Sequence, residues 1–155
     1  HIYIPMFDQQ TIYTAVKKVK HTMGLDVLIV DYFKGSGDGD AFDSYQELGR
    51  FVDMVKNKIC GDMGICGVGA AQATNTGKVA DSAKIGRNAS TIAIIQDKTP
   101  EEVANDGAEC GNKKLRVILN RNGMQHAAGE YIDLQFNGNL ISYEQAKQHI
   151  PNVPY

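Results

Sequence analysis

Between Asp8 and Met23 the apolar residues Ile12, Val16, Val19 and Met23 recur at the spacing of one helix face. Asp8 supplies an N-terminal cap and Gly24 suits the C-terminal one. Before this helix, Ile2–Ile4 reads as a short strand ended by Pro5. After it, Leu25–Val30 is an apolar run with no alternation, which predicts a strand buried on both faces. "KGSGDGDAFD" is a loop by composition. Ser44 and Glu47 have the spacing of a capping box, and the helix after them sets Tyr45, Leu48, Phe51, Val52, Val55 and Ile59 on one face.

The pattern then returns to strands. "MGICGVGAAQ" predicts a second buried strand, thinned by glycines and ending in Gln72. A polar loop, "ATNTGKVADSAKIGRN", separates it from a third buried strand, "STIAIIQD". "DKTPEEVANDGAECGNKK" reads as a polar connection of variable length. "KKLRVILNRNG" and "GEYIDLQFNG" predict a hairpin joined by Arg121–Ala128, and Ser142 and Gln145 predict the start of a short closing helix. Strand–helix alternation predicts an α/β domain, a mainly parallel sheet with flanking helices and a C-terminal β-hairpin, spanning residues 1–155.

Composition narrows the function classes. A chain of 155 residues buries a core without staples, and its net charge of −2 carries no global basic bias toward nucleic acid. The three cysteines, Cys60, Cys66 and Cys110, have no metal-site spacing and read as reduced thiols of a cytoplasmic protein. Cys60 and Cys66 are expected as small buried apolar side chains. The histidines are scattered, so no zinc site is expected. No run reaches membrane length and the first residues lack a signal-peptide pattern. The first residue is His1 rather than Met, which suggests a processed or cut piece. Asp38, Asp40 and Asp43 sit in a Gly-rich loop but miss the calcium-loop spacing, so a solvated loop is expected.

In a parallel sheet, ligands bind beyond the carboxyl ends of the strands. Asp31 ends the first buried run and Gln72 the second. A strand-tip carboxylate supplies the hard oxygen that Mg2+ seeks, often through water, and a neighbouring glutamine can reach a terminal phosphate. Taken alone, Asp31 is equally a strand-end aspartate that caps a loop, and Gln72 is more often a polar strand terminus than a phosphate sensor.

The order of "GLDVLIVDYF", "ICGVGAAQAT", "VADSAKIGRNASTIAIIQD" and "VILNRNGMQHAAGEYIDLQFNG" resembles the C-terminal RecA-like ATPase domain of DnaB-family replicative helicases, of the phage or prophage type. The most specific part is "NRNG" followed by "GEYIDLQFNG". The resemblance implies a P-loop NTPase core, ATP and Mg2+ as cofactors, a homo-hexameric ring, single-stranded DNA as partner, and a primase and a helicase loader as further partners. It implies that Asp31 is the Walker B aspartate holding Mg2+ through water. Gln72 is then the sensor of the terminal phosphate, and Arg121 the finger reaching a neighbour's nucleotide. It places the DNA loop at Lys78, Asp81, Ser82, Ala83 and Lys84.

Three departures qualify these expectations. The family's lysine two residues before the finger is Leu119 here. The Arg-Glu-Ser-Gly run of its DNA loop is Ala80, Asp81, Ser82 and Ala83, leaving Lys78 and Lys84 to supply charge. The GxxxxGK[ST] loop is absent, so only the second half of an ATPase core is expected, without the Walker A strand and without tight nucleotide binding of its own. The alternatives are a non-catalytic RecA-like assembly module and a fragment of a RecA- or KaiC-type ATPase.

Overall fold

The computed structural model describes residues 8–33, 41–72, 82–127 and 129–149, with the side chains of 41–45 and 82–84 outside that description. The chain is mixed α/β and divides into two compact units, His1–Ala89 and Ser90–Tyr155.

In the first unit, α1 (Gln9–Met23) starts where the sequence places it. The Asp8 carboxylate accepts from the Thr11 amide at 2.9 Å. The helix stops at Gly24, whose φ of 76° few other residues adopt. Strand β1 (Val27–Val30) leads to α2 (Ala41–Asp53), which continues directly into a π-helical stretch, Met54–Gly61. Because α2 opens at Ala41, Ser44 lies inside the helix and not at its cap. Strand β2 (Cys66–Gly69) pairs with β1 in parallel, Val27 opposite Cys66 and Val30 opposite Gly69. The core joins Ile12 and Val16 of α1 to Phe51, Met54, Val55, Ile59 and Ile65, with Leu28, Val30 and Phe33 against it. Each such side chain, when fully buried, contributes about 1.5–3 kcal/mol.

The strands of this unit are less buried than expected. Leu28 and Val30 face the core, but Val27 and Ile29 are exposed, as is Val68 on β2. Leu25–Val30 is therefore covered on one face only, because the described helices of this unit pack on the same side of the pair. Cys66 is likewise exposed rather than buried. Helix α3 (Ser82–Asn88) occupies the end of the predicted polar loop. The predicted Ile2–Ile4 strand lies outside the described residues.

The second unit is a four-stranded sheet in the order β3–β4–β5–β6, antiparallel throughout. Its strands are β3 (Thr91–Asp97), β4 (Lys113–Asn120), β5 (Ile132–Asn137) and β6 (Ser142–Gln145). The expected mainly parallel sheet is thus corrected to a two-stranded parallel pair and a larger antiparallel sheet. The reason is the link between β3 and β4. It carries the short helix α4 (Pro100–Asp106) and returns the chain beside β3 in the opposite direction. The β4–β5 hairpin is present as predicted. The expected closing helix at Ser142 is instead β6, paired with β5 from Asn137–Ser142 to Leu134–Gln145. Asn137 favours that return, since its side-chain oxygen accepts from the amides of Asn139 and Leu140 in a tight turn.

Helix α4 rests on a local signal within the predicted polar connection. Thr99 caps it, accepting from the Glu102 amide at 3.2 Å, and the Glu102 carboxylate accepts from the Thr99 amide at 2.8 Å. Pro100 fits its first turn.

Candidate functional site

Two groups of residues carry chemistry, one in each unit. In the first, the parallel pair brings Asp31 and Gln72 to the same edge of β1–β2. Val30 faces Gly69. Pairing runs past the strand ends, with the Ala70 amide donating to the Val30 carbonyl at 3.0 Å and the Phe33 amide to the Ala70 carbonyl at 2.8 Å. Asp31 follows β1 directly, Gln72 lies three residues past β2, and both are exposed. The Asp31–Tyr32 peptide is cis. An exposed strand-tip carboxylate suits water-mediated contact with a hard cation such as Mg2+.

The other residues singled out from sequence fall elsewhere. Arg121 follows β4 in the second unit, where its amide donates to the Ser90 carbonyl at 2.9 Å. Lys78 and Asp81 lie outside the described residues, as do Asp38 and Asp40. Ser82, Ala83 and Lys84 open α3, and Asp43 lies in α2.

The second group was not legible in the sequence. Register sets Gln96 opposite Lys114 and Lys114 opposite Asp133, so these three share one face of the larger sheet. Lys98 continues the alternation of β3 onto that face. Helix α4 lies over it, with Glu102 and Asp106 one turn apart. Lys114 reaches both Glu102 oxygens at 2.6 Å. Lys98 donates to Asp106 at 2.8 Å and to the Cys110 carbonyl at 2.9 Å, and forms an ion pair with Asp133. The Tyr131 hydroxyl donates to Asp106 at 2.7 Å. Asp133 Oδ2 meets the His149 amide at 2.6 Å and the His149 ring Nδ1 at 2.7 Å. The side chains of Lys98 and Asp133 are wholly inaccessible to solvent.

Mutual compensation holds these charges in place. Burial pushes the Asp133 carboxyl up, but the Lys98 ammonium and the bonds from His149 outweigh it and hold it below the ordinary value. For Asp106, burial is likewise outweighed by Lys98 and Tyr131. Burial pulls Lys98 down, yet the two aspartates raise it above the usual lysine value. Burial and the bond to Asp106 raise Tyr131, and burial raises Cys110. The thiol is therefore not an activated nucleophile. Asp106, Asp133 and His149 present donor atoms within 4.8 Å of one another, a spacing that fits a small cation. The Lys98 ammonium bonds two of the three, so the protein supplies that cation itself. Nothing in the sequence marks Lys98, Asp106 and Asp133 for burial. The one available signal was the Thr99–Glu102 capping box, which marks the helix that brings Asp106 in.

The chain matches no protein-family model and no curated protein. Among the described residues, no helix is long and apolar enough to cross a membrane.

Proposed function

We propose that the chain forms the second half of a RecA-like ATPase core in an ATP-dependent replicative DNA helicase. The complete protein would translocate on single-stranded DNA and unwind duplex as a homo-hexamer. The observation that carries this reading is the parallel β1–β2 pair, which delivers Asp31 and Gln72 to one carboxyl edge. A second observation supports it. Among the described residues β2 pairs with β1 alone, and Val27, Ile29 and Val68 are exposed beside it, as expected of part of a wider sheet.

In this proposal Asp31 holds the water shell of a nucleotide-bound Mg2+, and the ion offsets phosphate charge. Gln72 orients toward the terminal phosphate. Arg121, permanently charged and fork-shaped, serves the nucleotide of a neighbouring subunit. Lys78, Asp81, Ser82, Ala83 and Lys84 contact DNA phosphates. No phosphate-loop lysine is present in the sequence, so the chain alone does not turn over ATP.

The test is DNA-stimulated phosphate release by the complete protein that carries this chain. Asp31→Ala and Arg121→Ala are each expected to lower it by about 10³-fold or more. Mixed rings of the two variants should regain part of the activity, because a finger acts across the interface. Wild-type turnover in Asp31→Ala would overturn the assignment.

A further inference from the structure

Arg121 sits on a turn built around the residue before it. Strand β3 begins opposite the end of β4, with Thr91 facing Asn120. The Asn120 side chain uses both of its polar atoms there. Its Oδ1 accepts from the Thr91 hydroxyl at 3.3 Å and from the Asn122 amide at 3.3 Å. Its Nδ2 donates to the Met124 carbonyl at 3.3 Å. The Asn120 carbonyl in turn accepts from Gln125 Nε2 at 3.3 Å. The turn from 120 to 125 is thus folded around one residue and tied through it to β3. Gly123 leaves the space this needs, since a Cβ there would meet Asn120 Nδ2 at 2.8 Å.

An asparagine that accepts from the amide two residues on closes an Asx-turn, and its amide group offers an acceptor and a donor together. Arg121 lies inside that turn. Its own amide donates to the Ser90 carbonyl at 2.9 Å, and the residues on either side of it are joined through Asn120 Oδ1. The Arg121 backbone is therefore held on both sides, although the residue is exposed. A long side chain that reaches a phosphate on another subunit gains from a fixed root, because less freedom is left to lose when it docks.

We propose that Asn120 is the positioning residue of the Arg121 finger: it fixes the turn from which the guanidinium reaches the neighbouring subunit's nucleotide, and touches no nucleotide itself. This role rests on the helicase reading above. A finger acts on charge that develops during phosphoryl transfer, so a displaced root lowers kcat and leaves the KM for ATP nearly unchanged.

DNA-stimulated phosphate release by the complete protein that carries this chain tests it. Asn120→Ala is expected to lower kcat about 10²-fold, the effect of a misplacement of about 1 Å, with the KM for ATP within about twofold of wild type. Asn120→Asp keeps the acceptor for Thr91 and Asn122 but loses the donor to Met124, so its kcat should fall between wild type and Asn120→Ala. Mixing Asn120→Ala with Asp31→Ala subunits should restore part of the activity, as it should for Arg121→Ala, because each subunit supplies what the other lacks across the interface. Mixing Asn120→Ala with Arg121→Ala should restore none. Wild-type kcat in Asn120→Ala beside an inactive Arg121→Ala would overturn the positioning role and leave the finger standing. A raised KM at unchanged kcat would do the same, as would a defect that Asp31→Ala subunits fail to relieve while relieving Arg121→Ala. Wild-type kcat in Arg121→Ala would instead remove the finger itself, and the positioning role with it.

Discussion

Lys98 and Asp106, eight residues apart and separated by a helix cap, meet at 2.8 Å with the lysine side chain sealed from solvent. That pair and its extension to Asp133 occupy the place an apolar core would fill beneath α4. Removing one member leaves an uncompensated buried charge.

Lys98→Ala is therefore expected to destabilise the second unit by about 3–5 kcal/mol, the range for breaking a buried pair. Replacing the ammonium and its partner together, Lys98→Met with Asp133→Leu, should cost less than the two single changes summed. Urea unfolding followed by far-ultraviolet circular dichroism checks both.

The direction of the shifts fixes the pH profile. Asp106, Asp133 and Glu102 are held below their ordinary values, so their stabilisation is complete above about pH 4 and is lost as pH falls through the depressed folded values. Lys98 and Tyr131 are raised, so theirs is complete below about pH 10 and is lost as pH climbs through the raised ones. Thermal melts across pH should show a plateau with two falling flanks. Asp106→Asn should flatten part of the acid flank.

Glu102 has two tasks, and they are separable. Thr99→Ala removes the cap and should cost about 1 kcal/mol, with Thr99→Ser near neutral. Glu102→Gln retains the capping geometry but forfeits the charge facing Lys114, so it should cost less than Glu102→Ala. Chemical denaturation midpoints measure the differences.

Gly24 and Gly111 share a positive φ, 76° and 72°, but differ in surroundings. Around Gly24 an added Cβ meets nothing within 4 Å, whereas at Gly111 it overlaps the Leu134 carbonyl. Gly24→Ala should cost about 1–3 kcal/mol from backbone strain alone. Gly111→Ala should cost more, and the excess should appear as loss of exchange protection along β5.

Asp31 and Gln72 are exposed, and their substitution should separate activity from stability. Asp31→Ala and Gln72→Ala are expected to shift unfolding free energy by no more than about 0.5 kcal/mol. Thermal melting of the same preparations used for phosphate release would check this.

Sequence by itself determined the local features. Asp8, the helical spacing of Ile12 and Val16, and Gly24 mark α1, because caps and periodicity act within a turn or two. The apolar runs mark β1, β2 and β3, and the hairpin signal marks β4 and β5. The edge shared by Asp31 and Gln72 followed from those runs once they paired in parallel. Tertiary structure alone decided the rest. A branched apolar run specifies a strand but not its partner, so only the return through α4 made β3 antiparallel to β4. Ser142–Gln145 became a strand because β5 offered it an unpaired edge. Nothing in the sequence marks Lys98 and Asp133 for burial, since a charge can be buried only where its countercharge arrives. Here those countercharges come from residues 8 to 35 positions away, at distances set by the folded chain.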